Sequence, residues 1–450
     1  MRDVLLPTRV RVFRHPAQLV VTGFAVAIGL GTLLLALPVA STPDGGAPLG
    51  TALFTATSAV CVTGLVVVDT GGYWSTFGEL VVLGLIQVGG FGIMTFASLV
   101  GLVVSRRLGL RTRLTAAAET KALDLGEVRD VLRGVAVISL VVEALVAVPL
   151  FLRFWLAYDS SPGRAAYDAV FHSVSAFNNA GFALWPDSLV RYVDDPWVCL
   201  PIAAAVILGG LGFPVILELR KRVPLPLWSL HAKITVSATL ALLVLGTVFV
   251  TANEWRNPGT LGALDRPDRL LAGFFHAVMP RTAGFNSLDV ASMYEGTLLG
   301  TVVLMLIGGG SAGTAGGIKV TTFVLLLYVI WSEVRGESDV QVFERRIGER
   351  VVRQALTVAL LSVAAVTAAT VLLVEMTRLS PHEVLFEVVS AFATVGLSTG
   401  LTTQVGQAGE LVLVALMFLG RLGPITLVSA LALRERRRLY HYPEGRPLIG

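Results

Sequence analysis

Four short segments of this 450-residue chain end in the same small-residue turn. They read FTATSAVCVTGL at 54–65, FHSVSAFNNAGF at 171–182, FFHAVMPRTAGF at 274–285 and FEVVSAFATVGL at 386–397. Aligned on Gly64, Gly181, Gly284 and Gly396, each carries a Phe ten residues earlier: Phe54, Phe171, Phe274 and Phe386. A large apolar residue follows each glycine: Leu65, Phe182, Phe285 and Leu397. Six residues before the glycine stand Ser58, Ser175 and Ser390, with Val278 the exception. One glycine turn between helices is unremarkable; four in register, sharing Phe at one offset, form an internal repeat.

The chemistry open to such a repeat is that of the backbone. Each segment is long enough for two or three helical turns, too short to cross a bilayer. The glycine stretch that follows it should not be helical, and such backbone persists at membrane depth only when buried in protein or lining water. Four of these strands meeting on one axis would offer carbonyl oxygens in place of an ion's hydration shell. Glycine is required there because it accepts φ/ψ values closed to other residues and lets carbonyls approach the ion. Short helices pointing their C-terminal ends inward add partial negative charge, which favours a cation. The candidate lining is Val62, Thr63, Gly64 and Leu65; Asn179, Ala180, Gly181 and Phe182; Thr282, Ala283, Gly284 and Phe285; and Thr394, Val395, Gly396 and Leu397. No acidic residue lies in these strands, so selection would rest on carbonyl dipoles.

The elements that must position these strands are membrane helices. The chain is 54% hydrophobic and 15% charged, well short of the charge of a soluble domain. Apolar runs cover 19–40, 80–104, 135–156, 198–216, 234–250, 298–307, 320–330, 355–374 and 411–433. With no water to satisfy the backbone, helix is the expected form. Each repeat then reads as span, half-helix, extended strand, span, giving eight long spans and four re-entrant loops.

Arginine and lysine cluster on one side of this scheme: Arg9, Arg11 and Arg14; Arg106, Arg107, Arg111 and Arg113; Arg220, Lys221 and Arg222; Arg345, Arg346 and Arg350; Arg434, Arg436, Arg437 and Arg438. The positive-inside rule puts that side, and both termini, in the cytoplasm. The clusters are topology signals with some lipid-headgroup contact rather than nucleic-acid sites. Cys61 and Cys199 give no disulfide framework and no metal spacing. The first apolar run is too long for a signal-peptide core and is expected to be retained. No paired catalytic carboxylates or Ser/His/Asp set stand together, and no GxGxxG follows a strand, so neither an enzyme nor a nucleotide-binding chain is expected.

A second feature lies past the third repeat's glycine. Residues 308–317 hold Gly308, Gly309, Gly310, Gly313, Gly316 and Gly317, with Ser311, Ala312, Thr314 and Ala315 between them. So much glycine cannot hold a regular helix, and a loop here could block the path and move aside. The pattern departs from a phosphate-binding loop, because Ile318 separates Gly317 from Lys319 and Val320 follows. A small-residue helix-packing motif explains two glycines at spacing four, not six in ten. Arg421 sits inside the last apolar run, where an ionisable residue is costly and by default functional; it would raise a barrier or touch the loop, or else pair with carbonyls near Pro424. Lys319 marks the end of the loop next to the cytoplasm. Glu143 pairs with a buried cation or sits at an interface. His172 and His276 fall in the short helices, where packing or hydrogen bonding is their expected role. Arg281 precedes the third strand and would brace it through backbone hydrogen bonds.

The motifs NNAGF at 178–182, RTAGF at 281–285 and GGGSAGTAGGIKV at 308–320 make the chain resemble the Trk/Ktr/HKT superfamily of potassium transporters over essentially its whole length. It is most similar to the KtrB branch, since no extra helix pair precedes the first repeat. The resemblance implies an all-α polytopic membrane protein of four pseudo-repeated helix–pore helix–helix units around a central ion pore. It implies potassium uptake across the cytoplasmic (inner) membrane, with sodium coupling left open. It also implies a homodimer with one pore per subunit and a cytosolic ring of nucleotide-binding gating subunits of KtrA/TrkA type. No organic cofactor is expected in this chain, and its partners are membrane lipid and that ring, not nucleic acid. Residues 308–317 resemble the family's intramembrane gating loop, and Arg421 the arginine near its gate. Gly64 favours potassium, because sodium-preferring relatives carry serine in the first repeat. The expected segmentation is a cytoplasmic segment 1–17, repeats 18–113, 114–230, 231–350 (with the broken helix) and 351–438, and a cytoplasmic tail 439–450. The competing readings are a sodium-conducting pore and an alternating-access carrier with an organic substrate, which uses inverted repeats.

Overall fold

The computed structural model describes residues 16–42, 45–107 and 125–423. Arg9, Arg11, Arg14, Arg111, Arg113, the Arg434–438 cluster and both chain ends lie outside these residues.

The described chain is helical apart from one small hairpin, and its helices recur in one order: long, short, long. The first unit holds α1 (Pro16–Leu35), the short α2 (Leu49–Val60), the single turn α3 (Thr70–Tyr73) and α4 (Thr76–Arg107). The second holds α5 (Leu125–Ala157), the short α6 (Pro162–Phe177) and then α7 (Pro196–Leu211) and α8 (Phe213–Arg220). The third holds α9 (Leu230–Glu254), the short α10 (Arg266–Val278) and the pair α11 (Glu295–Leu306) and α12 (Val320–Val334). A hairpin of β1 (Gln341–Val342) and β2 (Arg345–Arg346) leads to the fourth unit, α13 (Glu349–Thr377), the short α14 (Pro381–Phe392) and α15 (Gly406–Leu422).

Residues 129–157 of α5, with all of α9 and α13, are long and apolar enough to cross a membrane. Their burial pattern is that of helices in lipid. Along α9 the inward stripe is Ala232, Thr235, Thr239, Leu243, Gly246, Val250 and Glu254, while Leu240, Leu245 and Val248 are exposed. Leu145 and Leu152 of α5 and Leu360 and Val371 of α13 are exposed likewise. Small and polar residues face protein and leucines face out, because lipid tails are as apolar as leucine and only close packing draws the helices together.

The short helices are the most buried elements. Proline in the first turn of α6, α10 and α14 sits where a missing N–H costs nothing. Each short helix packs against the closing span of the preceding unit: α6 on α4, α10 on α7, α14 on α11, and α2 on α15. The last pair returns to the first unit, so the four units close into a ring.

Among the described residues two closing spans are broken. The one between α11 and α12 opens at 308–317, as the glycines predict. The run 198–216, expected to be one span, is instead bent by 103° between α7 and α8. The bend sits at Gly212, whose φ of +93° is open to glycine and strained for other residues.

At the end of α9 the Glu254 carboxylate is fully buried. One oxygen accepts from Tyr294 N at 3.0 Å and Thr297 Oγ1 at 2.5 Å. The other accepts from Asn257 Nδ2 and Thr260 Oγ1, each at 2.6 Å. One side chain thus ties the start of α11 to the loop before α10. Glu254→Ala removes the acceptor of all four bonds, with only Asn257 keeping another, to Ser292 O at 2.8 Å, and is expected to cost about 3 kcal/mol, read as a lowered melting temperature of the purified protein in detergent.

Candidate functional site

The short helices direct their C-termini inward, and the chain beyond each follows one conformational pattern. Val62, Asn179, Thr282 and Thr394 have φ of 55°, 59°, 70° and 51°. Gly64, Gly181, Gly284 and Gly396, two residues on, have φ of 90°, 70°, 70° and 93°. Left-handed residues thus alternate with ordinary ones, which turns successive carbonyls toward one side instead of alternating them as in a strand.

Hydrogen bonds hold the N–H groups of these strands against their own helices. Thr63 N donates to Ser58 O at 2.8 Å, Ala180 N to Ser175 O at 2.7 Å and Val395 N to Ser390 O at 2.8 Å. The repeated serine has a defined job: Gly64 N donates to Ser58 Oγ and Gly396 N to Ser390 Oγ, each at 3.1 Å. Ser175 Oγ donates instead to Phe182 O at 2.8 Å. Phe182 O is therefore turned toward Ser175. Leu65, Phe182, Phe285 and Leu397 are all buried, and none of the four is among the residues lining the cavity beyond the glycines. Their side chains act as anchors in the core. Phe54, Phe171 and Phe386 are buried as well, but in the third repeat Phe275 is the buried ring and Phe274 only packs against the cluster.

The four strands meet in a closed ring. A Cβ placed on Gly64 would lie 3.1 Å from Gly181 Cα, one on Gly181 2.9 Å from Gly284 Cα, one on Gly284 3.0 Å from Gly396 Cα, and one on Gly396 3.1 Å from Gly64 Cα. Each such Cβ would also overlap the carbonyl before the next glycine: Ala180 O, Ala283 O, Val395 O and Thr63 O in turn. The ring therefore brings together Val62, Thr63, Gly64, Asn179, Ala180, Gly181, Thr282, Ala283, Gly284, Thr394, Val395 and Gly396. The hydroxyls of Thr63, Thr282 and Thr394 are buried and have no hydrogen-bond partner among the described residues. On one side of the ring opens a vestibule of about 250 Å³ whose walls include Asp69, Trp185, Asn286, Ser398 and Thr402.

The residue three before the glycine ties the second and third strands to different supports. Asn178 donates to Glu143 Oε1 at 3.2 Å and to Gln87 Oε1 at 3.0 Å, and Gln87 donates to the same Glu143 oxygen at 3.0 Å. Glu143 thus meets two amides rather than a buried cation. Arg281 donates to Thr239 O at 3.1 Å and Thr239 Oγ1 at 3.0 Å, so it braces the third strand against the backbone of α9. Ala393 lies against Gly317, and Cys61 is buried without a disulfide. His172 Nδ1 is 2.7 Å from Asp168 O, and its ring stacks on Trp185. His276 Nε2 lies 3.4 Å from Thr301 Oγ1. Both histidines serve packing and hydrogen bonding, as expected.

The loop 308–317 lies on the other side of the ring. Gly308 N donates to Ile318 O at 2.9 Å and Val320 N to Gly309 O at 3.0 Å, which closes its neck. Gly310 N and Thr314 N donate to Gly210 O and Gly209 O at 2.7 and 3.2 Å, and Phe213 N donates to Ala312 O at 3.2 Å. The loop is therefore laid onto the bend of the second unit. A Cβ on Gly316 would strike Thr394 Oγ1, and one on Gly309 would stand 2.7 Å from Gly210 O. The Asn179 amide nitrogen, which also faces Phe177 O and Val206 O at 3.3 Å, meets Thr314 Oγ1 at 2.9 Å. Arg421, buried, donates to Thr314 O through Nη1 and to Gly89 O through Nη2 at 3.1 Å. Lys319 Nζ turns back onto Ala315 O, so it holds the loop's own curve. Ser311 Oγ is 3.0 Å from Thr321 Oγ1.

Sequence reasoning missed one set of residues. A Cβ on Gly89, Gly209 or Gly420 would overlap the carbonyl of Val60, Phe177 or Phe392, the residues four before the ring glycine in units one, two and four. The signal was present in QVGGFG at 87–92, LGGLGFP at 208–214 and LGRLGP at 419–424. These glycines let the end of each short helix sit against its own closing span.

With this geometry in hand, comparison with known proteins is direct. The family model described as cation transport protein, TrkH, matches residues 11–440. The chain is 41% identical to Ktr system potassium uptake protein B of Bacillus subtilis, over 97% of each chain. It is 38% identical to the protein of the same name from Vibrio alginolyticus, over 96% of this chain and 94% of that one. It is 34% identical to potassium/sodium uptake protein NtpJ of Enterococcus hirae, over 99% of this chain and 100% of the relative. The fold matches the crystal structure of the potassium transporter TrkH from Vibrio parahaemolyticus with a TM-score of 0.75 at 20% identity, covering 95% of this chain and 86% of that one. A multi-pass membrane fold of four short helices ringed by long ones, and a family match across nearly its whole length, make this chain a member of the TrkH cation transport protein family.

Proposed function

We propose that this protein takes up potassium across the cytoplasmic membrane through the ring of backbone carbonyls at Gly64, Gly181, Gly284 and Gly396. The observation that carries the reading is the closed approach of those glycines, each too near the next repeat's carbonyl to tolerate a side chain. Four strands with carbonyls turned to one side present dipoles to a dehydrated cation. The hydroxyls of Thr282 and Thr394, two residues before their ring glycines, are buried without a partner among the described residues, and a cation beside them would satisfy them. The names of the relatives, two potassium uptake proteins and one potassium/sodium uptake protein, support the choice of ion and leave sodium as the competing cargo. The vestibule faces outward and the ends carrying Arg220, Lys221, Arg222, Arg345 and Arg346 face the cytoplasm, in keeping with the positive-inside rule.

The loop 308–317 is the gate in this reading. It lies against the ring, fastened by Asn179 to Thr314 Oγ1 and by Arg421 to Thr314 O. Moving it requires breaking those bonds, and a guanidinium among carbonyls keeps a fixed positive charge beside the path of a cation. The bend at Gly212 gives the second unit a part in the gate. A second copy of this chain and a cytosolic ring of nucleotide-binding subunits, both implied by the family, would supply the force from the cytoplasmic ends of the spans.

Flux of rubidium, potassium and sodium into proteoliposomes tests the ion. The wild type should carry potassium and rubidium at least about tenfold faster than sodium, a difference of about 1.4 kcal/mol in barrier. Gly64→Ser should erase most of that preference, because its Cβ pushes the ring apart. Equal passage of sodium in the wild type refutes the potassium assignment. The gate has its own test. Thr314→Val removes one hydrogen bond worth about 1 kcal/mol and should raise basal flux about fivefold, and shortening 308–317 should raise it further. Unchanged or reduced flux in a folded loop-shortened protein excludes the gate.

A further inference from the structure

We propose that the carboxylate of Asp69 is a cation-recruiting site at the mouth of the pore, taking hydrated monovalent cations before they reach the ring. The inference rests on the reading of the ring as a pore and assigns a separate task to a residue outside it. Asp69 stands five residues after Gly64, at the start of α3, and lines the vestibule directly above the glycines. Among the described residues lining this cavity it is the only charged one. The remaining lining residues are uncharged; on the fourth repeat's side the hydroxyls of Ser398 and Thr402 donate to Glu387, whose carboxylate is buried behind that wall.

An aspartate at a helix start ordinarily commits its carboxylate to the first N–H groups. Asp69 makes no such bond and enters no ion pair among the described residues. Several other acids of the same loops are engaged. Glu79 accepts from Tyr167 OH at 2.5 Å, and Asp168 pairs with Arg164 at 3.0 Å. Asp187 pairs with Arg191 at 2.6 Å and Asp195 with Arg153 at 2.7 Å. Room for the free carboxylate is kept by Gly72, where a Cβ would lie 2.5 Å from Asp69 Oδ2. An unpaired negative charge lining a narrow cleft between low-dielectric walls raises the local cation concentration. It does so without reading the ion's size, because the cation keeps its water.

The charge should therefore act on apparent affinity and not on selectivity. In proteoliposomes at low ionic strength, Asp69→Asn should raise the half-saturating rubidium concentration by about fivefold. The maximal rate and the potassium-to-sodium ratio should stay near those of the wild type, and Asp69→Glu should behave as the wild type does. The difference should vanish when impermeant N-methylglucamine chloride is raised to about 0.5 M, where the screening length falls to roughly 4 Å. An Asp69→Asn protein with wild-type half-saturation, or with the same defect at every salt concentration, overturns the proposal. Should that variant not reconstitute, the wild type still decides: its half-saturating concentration must rise with salt, and a flat profile overturns the inference. A wild type that carries no rubidium under any condition fails a different claim, the pore itself.

Discussion

Four backbones approach one another here more closely than any side chain permits. A Cβ on any ring glycine would sit about 3 Å from the next glycine's Cα and inside contact range of a carbonyl. Everything around the ring serves that approach. The strands can converge only if something else satisfies their N–H groups, and the short helices do this through their last turns and the serines at 58 and 390. The short helices can reach the centre only if the spans behind them yield space, which Gly89, Gly209 and Gly420 provide. The spans can lean inward because their faces toward protein are small and polar while leucines meet lipid.

The same arithmetic of close approach explains the loop. Between α11 and α12 the backbone is not hidden from polar demand: its N–H groups reach Gly209 O, Gly210 O and its own neck. A chain packed backbone against backbone in this way needs glycine for contact as much as for φ. Only Ala312 and Gly317 of the loop have positive φ; the other glycines are there because a methyl group would strike a carbonyl, a threonine or an alanine. A loop held by backbone contacts and a few polar side chains has little apolar surface to lose on moving. That suits the gate proposed for it.

Much of this was legible in the sequence, and for a physical reason. Contacts made by the backbone leave a residue-type signature, since only glycine fits, and the register of Gly64, Gly181, Gly284 and Gly396 could be read directly. The serine offset was visible too, though its bonding was not. What remained hidden depends on pairings that no local pattern encodes. Asn179 meets Thr314 across 135 residues and Arg421 meets Gly89 across 332. Glu143 looked like half of an ion pair because its amide partners, Gln87 and Asn178, lie on other elements. The bend at Gly212 escaped because an apolar run with two or three glycines reads as a continuous span. Only the loop packed beside it shows why the helix stops.

The ring is fourfold in its backbone and not in its supports. The first and fourth strands hang on a serine hydroxyl, the second on a network reaching Glu143, and the third, lacking the serine, on Arg281 and Thr239. The third unit also lacks the glycine contact between short helix and closing span, and that is the span that opens into the loop. These two departures belong together. Where the closing span stops being a helix it can no longer press against the end of its short helix. The third strand must then be held from the other side, by the opening span α9. A guanidinium reaching α9 does that without a hydrogen bond to the loop, so the support of the third strand is independent of the loop.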